Sequence, residues 1–270
     1  MSIRRLFAAE SFNLKHFEQW GSEFAQPGDI LQFVNRLNMT PSKSYQVESV
    51  KYVNEQYSEV TFTEVLDSAI NLNMTIENTS WQPKMIMKNC TVRQNRARSI
   101  LLSTSGDVWI ENNNFSSMMA GISIGGDANF WFESGPVHNV VIRNNTFTNC
   151  CTSGQNQACI IVDPNILDLK NKTDYFESNI VIEGNKFRTF DNAVLSAHSV
   201  DNLVFKNNTI QQTFDYDPLY PNRAAIKASF CRGVVISDNT YIGKKSAGIL
   251  IDKNNVTDIH LKGNKGFKIK

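Results

Sequence analysis

The sequence predicts an all-β protein: a right-handed parallel β-helix with a small antiparallel β-barrel domain on its N-terminal side. Three observations carry this prediction. A short asparagine-containing motif recurs along the second two-thirds of the chain, a further apolar strand follows each copy, and residues before about 84 lack the motif. We therefore predict a barrel-like domain at 1–83, incomplete at its start, and a β-helix at 84–270.

The recurring motif is six residues long. It begins with an apolar residue, has asparagine at its fourth position and, in its clear copies, ends with an aromatic or β-branched residue. Clear copies lie at 110–115, 142–147, 182–187, 205–210 and 236–241, and weaker ones at 87–92 and 261–266. This repeated position falls at residues 90, 113, 145, 185, 208, 239 and 264, in steps of 23 to 40 residues; it is asparagine in every copy except the first, which has Cys90. Such spacing is typical of a solenoid whose coils share a core and differ in loop length. Leucine-rich repeats have similar lengths, but their LxxLxL run is missing here.

Each coil also shows the period-2 alternation of β-strands. Apolar runs such as 140–142 precede the motif, and second strands follow at 100–102, 122–124, 160–162, 194–196, 226–228 and 249–251. At a sharp turn between strands, asparagine tolerates the left-handed backbone region, and its amide can bond neighbouring groups. We predict that amides at the repeated position bond one another as a ladder along the β-helix.

The first 83 residues read as short strands separated by polar turns. Pro27, Gly28 and Asp29 form a turn signal, and strand-like runs follow at 30–34, 45–50, 59–63 and 74–76. Four short strands over roughly 60 residues are typical of a small antiparallel barrel or sandwich.

Composition excludes several classes of partner. The 270 residues are 41% hydrophobic, and 27 Lys+Arg against 26 Asp+Glu leave a net charge of +1 without a basic block. We expect no nucleic-acid partner, because affinity for nucleic acid rests on neutralising phosphates. No apolar run approaches the roughly 18 residues of a membrane helix, so we expect no membrane partner. The first apolar run ends at Glu10, too short for a signal peptide, and the compartment stays open.

The five cysteines do not form a recognisable metal or disulfide pattern. They lie at 90, 150, 151, 159 and 231, an odd number without CxxC spacing. We predict free, mostly buried thiols, no metal and no cofactor.

The loop at 125–135 is the richest candidate for chemistry. It packs Asp127, Asn129 and Glu133 among three aromatic residues, including Trp131. Sugar sites use this mixture, because an aromatic face covers the apolar side of a sugar ring while carboxylates and amides bond its hydroxyls. The alternative is an aromatic plug folded over the coil, with solvated acids.

Arg96 and Arg98 stand one coil earlier, immediately before the strand at 100–102. Equivalent positions in adjacent coils lie about 4.8 Å apart, so we expect these arginines and the aromatic loop to share one face. They either bind a sugar hydroxyl or an anionic group, or orient Asp127 or Glu133. Elsewhere, Asp163 and Asp191 precede Pro or Asn; either could serve a site, but an aspartate in this position is more often a turn former.

Several segments resemble the α-1,3-galactosidases of glycoside hydrolase family 110. They are 89–104, which contains Asn-Arg-Ala-Arg, 107–115, and 126–135, which contains Trp-Phe-Glu-Ser-Gly. Segments 28–34 and 76–81 are similar to that family's β-barrel insertion. The resemblance covers most of the chain. It implies an exo-acting, inverting hydrolase that removes terminal α-1,3-linked galactose from glycans without a metal, in a family whose members are typically exported.

This sequence departs from that family in its acidic motif. Family members are longer and carry an Asp-Asp pair, followed by Ala-Ile-Asn, in coils before the barrel; no Asp-Asp pair occurs here. Inversion needs two carboxyl groups roughly 6.5–9.5 Å apart. We therefore predict a fragment that is inactive alone but keeps part of a pocket for galactose-terminated glycans. The sugar-binding candidates are Arg96, Arg98, Asp127, Asn129, Trp131 and Glu133.

Two alternatives stay open. The chain is either such a fragment or a non-catalytic glycan-binding or structural β-helix protein. A third possibility is residual hydrolysis by Asp127 and Glu133, the only catalytic candidates that the residues themselves suggest. The oligomeric state is not predicted.

Overall fold

The computed structural model describes residues 2–8, 11–15, 24–54, 57–133, 135–170, 174–191, 193–218 and 220–270. These residues form strands and turns, and their only helical element is a 3₁₀ turn at Thr79–Trp81. The predicted all-β fold is therefore confirmed. By contacts the chain divides into a barrel unit and a β-helix unit. The barrel unit comprises Met1–Pro83, Gly126–Gly135 and Asn165–Asp174, and the β-helix unit comprises Lys84–Gly125, Pro136–Pro164 and Tyr175–Lys270.

The barrel unit contains a closed antiparallel barrel. Its strands are β1 (Ser2–Ala8), β2 (Ser11–Lys15), β3 (Ile30–Asn35), β4 (Pro41–Asn54), β5 (Tyr57–Phe62) and β6 (Met74–Asn78), paired in the order β1-β2-β5-β4-β3-β6. The four strands expected from the sequence are confirmed, while β1 and β2 were not predicted. Alternate residues point inward, and Phe33, Tyr45 and Phe62 meet there with ring centroids 5.7–5.8 Å apart.

Each full coil of the β-helix unit contributes three strands. The strands before the asparagine turn are β7 (Met85–Lys88), β10 (Val108–Glu111), β13 (His138–Arg143), β16 (Glu177–Glu183) and β23 (Val256–Lys262). Those after it are β8 (Thr91–Asn95), β11 (Asn114–Ser117), β14 (Thr146–Thr148), β17 (Lys186–Thr189), β19 (Thr209–Gln212) and β21 (Thr240–Ile242). The third strands are β9 (Ile100–Leu102), β12 (Ile122–Ile124), β15 (Ile160–Val162), β22 (Ala247–Ile251) and β24 (Phe267–Ile269).

In two coils, a third strand continues into the first strand of the next coil. These long strands are β18 (Leu195–Lys206) and β20 (Ile226–Ser237). Neighbouring coils pair in parallel, with equivalent residues in register, such as Ile142 with Ile182. The sequence motif thus spans two strands in different sheets, with the asparagine at the corner between them.

The predicted asparagine ladder is confirmed. Amide Nδ2 groups donate to Oδ1 of the next residue in the series over 2.9–3.1 Å, through Asn113, Asn145, Asn185, Asn208, Asn239 and Asn264. Each Nδ2 also donates to a strand carbonyl, for example Asn145 to Ile110 at 2.8 Å. Cys90 stands in the first copy, where its backbone N–H donates to Asn113. The residue before each ladder position has positive φ, such as 58° at Asn112 and 56° at Asn144.

Aromatic and thiol side chains fill the interior behind this ladder. Phe115, Phe147 and Phe187 stack with centroids 5.2 and 4.9 Å apart. All five cysteines are free; Cys90 is exposed and the other four are buried. The prediction of free, mostly buried thiols is confirmed. Burial raises the pKa of the Cys231 thiol to about 11, so it stays protonated at neutral pH.

Candidate functional site

Four of the predicted site residues lie on one segment of the barrel unit. This segment, Gly126–Gly135, leaves the β-helix sequence and packs with residues 1–83. Asp127 and Glu133 form an antiparallel bridge, in which the Asp127 N–H donates to the Glu133 carbonyl at 3.3 Å. Residues 127–133 therefore form a closed loop, which we call the aromatic loop. Ser134, in the Trp-Phe-Glu-Ser-Gly motif, lies outside the described residues.

The carboxylate of Asp127 organises the aromatic loop from inside. It accepts backbone N–H groups from Asn129 (2.7 Å), Phe130 (3.1 Å) and Trp131 (3.0 Å), and the side-chain amide of Asn165 (3.1 Å). Burial acts to raise its pKa, but these hydrogen bonds outweigh burial and hold the pKa below the usual value for aspartate. The carboxyl group is therefore ionised at neutral pH and has no proton to donate. The catalytic role of Asp127 stays a prediction, and this geometry favours a structural one.

Arg36, in the turn after β3, holds the aromatic loop against the barrel. Its Nε donates to the Ala128 carbonyl at 3.3 Å, and its Nη2 donates to the Asn129 carbonyl at 3.4 Å. In turn, the Asn129 side-chain amide donates a hydrogen bond to the Arg36 carbonyl at 2.7 Å. The Arg36 guanidinium also lies 5.8 Å from the Phe132 ring centroid. The loop backbone is thus fixed from the barrel side as well as by Asp127.

Two aromatic side chains at the tip of the loop are left exposed. Phe130 is 72% exposed and Trp131 is 67% exposed, and their rings meet edge to face with centroids 4.8 Å apart. Exposed apolar rings on an anchored backbone offer a rigid stacking surface. Glu133 follows them and is half-buried. In the described part of the chain, no hydrogen bond or ion pair holds the Glu133 carboxylate, so it can accept bonds from a ligand.

A second carboxylate lies at the base of the loop. Glu77 of β6 is buried, and its Oε1 accepts the Gln82 side-chain amide at 2.8 Å. The Glu77 carboxylate occupies the place where a Cβ on Gly135 would stand. The glycine in the Trp-Phe-Glu-Ser-Gly motif is thus required by close packing against Glu77. No local sequence pattern marks Glu77, Arg36 or Asn165, because each contacts the 126–135 segment from a distant position in the chain.

Arg96 and Arg98 lie in the β-helix unit, directly after β8. Both are exposed. The Asn95 side-chain amide donates to the carbonyls of Ala97 (3.0 Å) and Arg98 (2.8 Å), which shapes the turn that presents the two guanidinium groups. The aromatic loop belongs to the other unit, so the expectation that these arginines share a face with it stays a prediction.

Asp191 has a larger structural role than the turn former that the sequence suggested. Its buried carboxylate forms an ion pair with Arg223, at 3.1 Å between Oδ2 and Nη2.

Among the described residues, no group of three or more His, Cys, Asp or Glu side chains is placed to hold a metal ion. Within the same residues, no helix has the length and apolar character needed to cross a membrane.

Family comparisons match both units. Residues 11–73 match the GLAA-B beta-barrel domain II, and residues 74–269 match the right handed beta helix region. An α-1,3-galactosidase B of Phocaeicola vulgatus is 39% identical over 224 residues, which cover 77% of this chain and 38% of that protein. An α-1,3-galactosidase B of Bacteroides thetaiotaomicron is 34% identical over 254 residues, which cover 93% of this chain and 41% of that protein.

A third relative carries a different designation. The α-1,3-galactosidase A of Shewanella woodyi is 33% identical over 235 residues, which cover 86% of this chain and 38% of that protein. The chain thus spans about two fifths of the length of these curated relatives.

Proposed function

Because the chain belongs to the right-handed β-helix family and is related to the α-1,3-galactosidases, we propose that it is glycosidase-like and binds galactose-terminated glycans. In this proposal, it supplies part of the surface that recognises a terminal α-1,3-linked galactose. The support comes from the relatives together with the aromatic loop.

The observation that carries the proposal is the exposed Phe130–Trp131 pair on an anchored loop. The apolar face of galactose stacks on the Trp131 ring, because its C–H groups meet a π surface and leave the hydroxyls free for polar contacts. Asp127 and Arg36 fix the backbone beneath the rings before the ligand arrives. Such preorganisation reduces the entropy lost on binding.

Polar contacts complete the proposed surface. The Glu133 carboxylate accepts bonds from sugar hydroxyls, and sugar binding by Arg96 and Arg98 of the β-helix unit stays a separate prediction. Asp127 and Asn129 contribute indirectly, because their side chains are engaged in holding the loop.

We propose that the chain alone binds without hydrolysing. An inverting mechanism needs one protonated carboxyl group and one ionised group with a water between them. Asp127 does not suit the role of the general acid. Burial acts to raise its pKa, but the hydrogen bonds from the loop N–H groups outweigh burial and lower the pKa below the usual value. The resemblance to family 110 assigns the catalytic pair to an Asp-Asp motif that this sequence lacks.

Calorimetry with α-1,3-linked galactobiose tests the binding proposal. We expect saturable binding, a preference over the β-linked disaccharide, and a loss of about tenfold in affinity for Trp131→Ala. Trp81→Ala is the matched control, because Trp81 is a 48% exposed tryptophan of the same unit outside the loop. Equal losses in both variants, or no binding by the folded chain, would contradict the proposal; the latter would favour a structural β-helix.

Galactose release from the same disaccharide tests the catalytic part separately. We expect none above the uncatalysed rate. Turnover that is abolished by Glu133→Gln, with Trp81→Ala unaffected, would show that the chain hydrolyses by itself.

A further inference from the structure

A cleft of about 340 Å³ lies on the β-helix unit and has cationic walls. Its lining includes Arg223, Lys227 and Lys270, with the polar side chains of Asn156, Asn222 and Ser196. All of these residues belong to one unit, and the cleft shares none with the aromatic loop.

Strand register positions Lys227 on the wall of the cleft. Ser196 of β18 pairs with Lys227 of β20, which pairs with Leu250 of β22. Because their inner neighbours, such as Ile226 and Ile249, fill the core, these three side chains point outward in a row.

Lys270 reaches the cleft across a glycine. Its backbone N–H donates to the Ile249 carbonyl at 2.9 Å, and its Nζ donates to the Asn222 carbonyl at 3.4 Å. The Lys270 side chain passes over Gly248, with Cε 2.9 Å from the place a Cβ would occupy there. A larger residue at 248 would displace the methylene groups of the Lys270 side chain. The absence of a side chain at Gly248 therefore allows the ammonium group to reach the cleft.

Arg223 braces the opposite wall. Its guanidinium bonds both oxygens of Asp191, at 3.2 and 3.1 Å, and donates to Asn156 Oδ1 at 3.0 Å and the Gln157 carbonyl at 2.7 Å. It also stacks on Tyr220, 5.2 Å from the ring centroid. With its charge balanced by Asp191, Arg223 serves as a rigid support rather than a free cation.

The two lysines are not neutralised at contact distance. No Asp or Glu side chain lines the cleft, and in the described part of the chain no ion pair joins Lys227 or Lys270 to an acidic group. The titratable groups that act on Lys227 from neighbouring coils are Asp163 and His198. A concave surface with two unpaired cations concentrates positive potential and attracts anions.

We propose that this cleft binds a single anionic sugar residue, carrying a carboxylate or a sulfate ester. Lys227 and Lys270 bind the anionic group, while Asn156, Asn222 and Ser196 bond ring hydroxyls. The volume lies at the lower end of the range for ligand sites, roughly 300–1,000 Å³, which suits one pyranose ring and not an oligosaccharide. This inference goes beyond the proposed function, which concerns a neutral galactoside at another surface.

Calorimetry on the full chain tests the cleft with galacturonate, galactose 6-sulfate, galactose and inorganic sulfate. We expect at least one acidic sugar to bind about tenfold or more tightly than galactose at low salt, since a charge-assisted hydrogen bond is lost with the neutral sugar. Comparing the two acidic sugars identifies which anionic group the cleft prefers. Affinity for the acidic sugar should fall between about 50 and 500 mM salt.

The variant Lys227→Gln/Lys270→Gln should abolish the preference for the acidic sugars. The matched control Lys253→Gln/Lys262→Gln removes two exposed charges of the same unit outside the cleft and should retain the preference. Thermal unfolding checks that the cleft variant is folded, and Lys227→Gln alone replaces it if it is not.

Three results would overturn the inference. They are equal affinity for galactose and both acidic sugars, equal losses in cleft and control variants, and inorganic sulfate binding as tightly as galactose 6-sulfate, which would mean an anion site without sugar recognition. None depends on α-1,3-galactobiose or on Trp131, so failure here is distinguishable from failure of the galactoside proposal.

Discussion

Arg36 and Asn129 exchange hydrogen bonds across 93 residues of sequence. The Asn129 side-chain amide donates to the Arg36 carbonyl at 2.7 Å, while the Arg36 guanidinium donates to the Asn129 carbonyl at 3.4 Å. This reciprocal contact joins the turn after β3 to the aromatic loop. It makes the position of Trp131 depend on the barrel as well as on the loop's own sequence.

Replacing Asn129 by aspartate should release the aromatic loop. The substitution keeps the size of the side chain but replaces the donor with a carboxylate that faces the Arg36 carbonyl, at a cost of about 2 kcal/mol. We expect faster hydrogen exchange at the amides of residues 129–131. Asn165→Ala is the comparison, since it removes a single amide bond to Asp127 at a more exposed position. Unchanged exchange in Asn129→Asp would show that the contact does not hold the loop.

Gly135→Ala should destabilise the barrel unit through a steric clash. A methyl group at 135 meets the buried Glu77 carboxylate, so we expect a loss of about 2 kcal/mol by denaturant unfolding. Combining it with Glu77→Ala removes the obstacle, and the two losses should then be less than additive. Gly154→Ala serves as a control, because a Cβ there meets nothing within 4 Å and pays only for positive φ, about 1 kcal/mol. Strict additivity at 77 and 135 would contradict the clash.

The aromatic loop should loosen in acid. The pKa of Asp127 is lower in the folded chain than its ordinary value of 3.8, because the loop N–H groups that bind the carboxylate outweigh its burial. Its contribution to stability is therefore complete above that ordinary value and is lost as the pH falls through the lower folded value. Amide proton shifts of residues 129–131, followed by NMR, should titrate below pH 3.8 and lose this step in Asp127→Asn. A midpoint above 3.8 would mean that the hydrogen bonds do not stabilise the ionised form.

The asparagine ladder should be most sensitive in its interior. Asn145→Ala leaves the Asn113 N–H and the Ile110 carbonyl buried without partners, so we expect a loss of about 3 kcal/mol. Asn264→Ala, at the half-buried last rung, should cost about 1 kcal/mol, because water can replace the amide there. Urea unfolding of the two variants measures the difference. Equal losses would mean that burial does not set the strength of the ladder.

Much of the β-helix was predictable because its pattern is local and repeated. Each coil turns at the same corner, so Asn113, Asn145 and Asn185 could be aligned from the sequence. The hydrogen-bonded ladder could then be predicted, because equivalent asparagines of successive coils lie above one another. The division of each motif into two strands was less visible, since the corner lies within a run that has strand-like residues on both sides.

The candidate site was predictable only in part. The aromatic and polar composition of 125–135 indicated Trp131 and Glu133 as sugar-binding candidates, and the structure leaves the Trp131 ring exposed. Asp127 has the residue type of a catalytic acid, but its carboxylate binds three backbone N–H groups. Residue type alone does not distinguish these roles, because both use the same carboxylate and differ only in what surrounds it.

The sequence by itself determined the coil repeat, the asparagine ladder and the four later barrel strands, because each follows from residue periodicity within a short stretch. Only the tertiary structure decided that Gly126–Gly135 and Asn165–Asp174 join the barrel unit, that Glu77 requires a glycine at 135, and that Lys227 and Lys270 share a cleft. The physical reason is distance along the chain. These contacts join residues tens of positions apart, and their chemistry exists only once packing has brought the groups together.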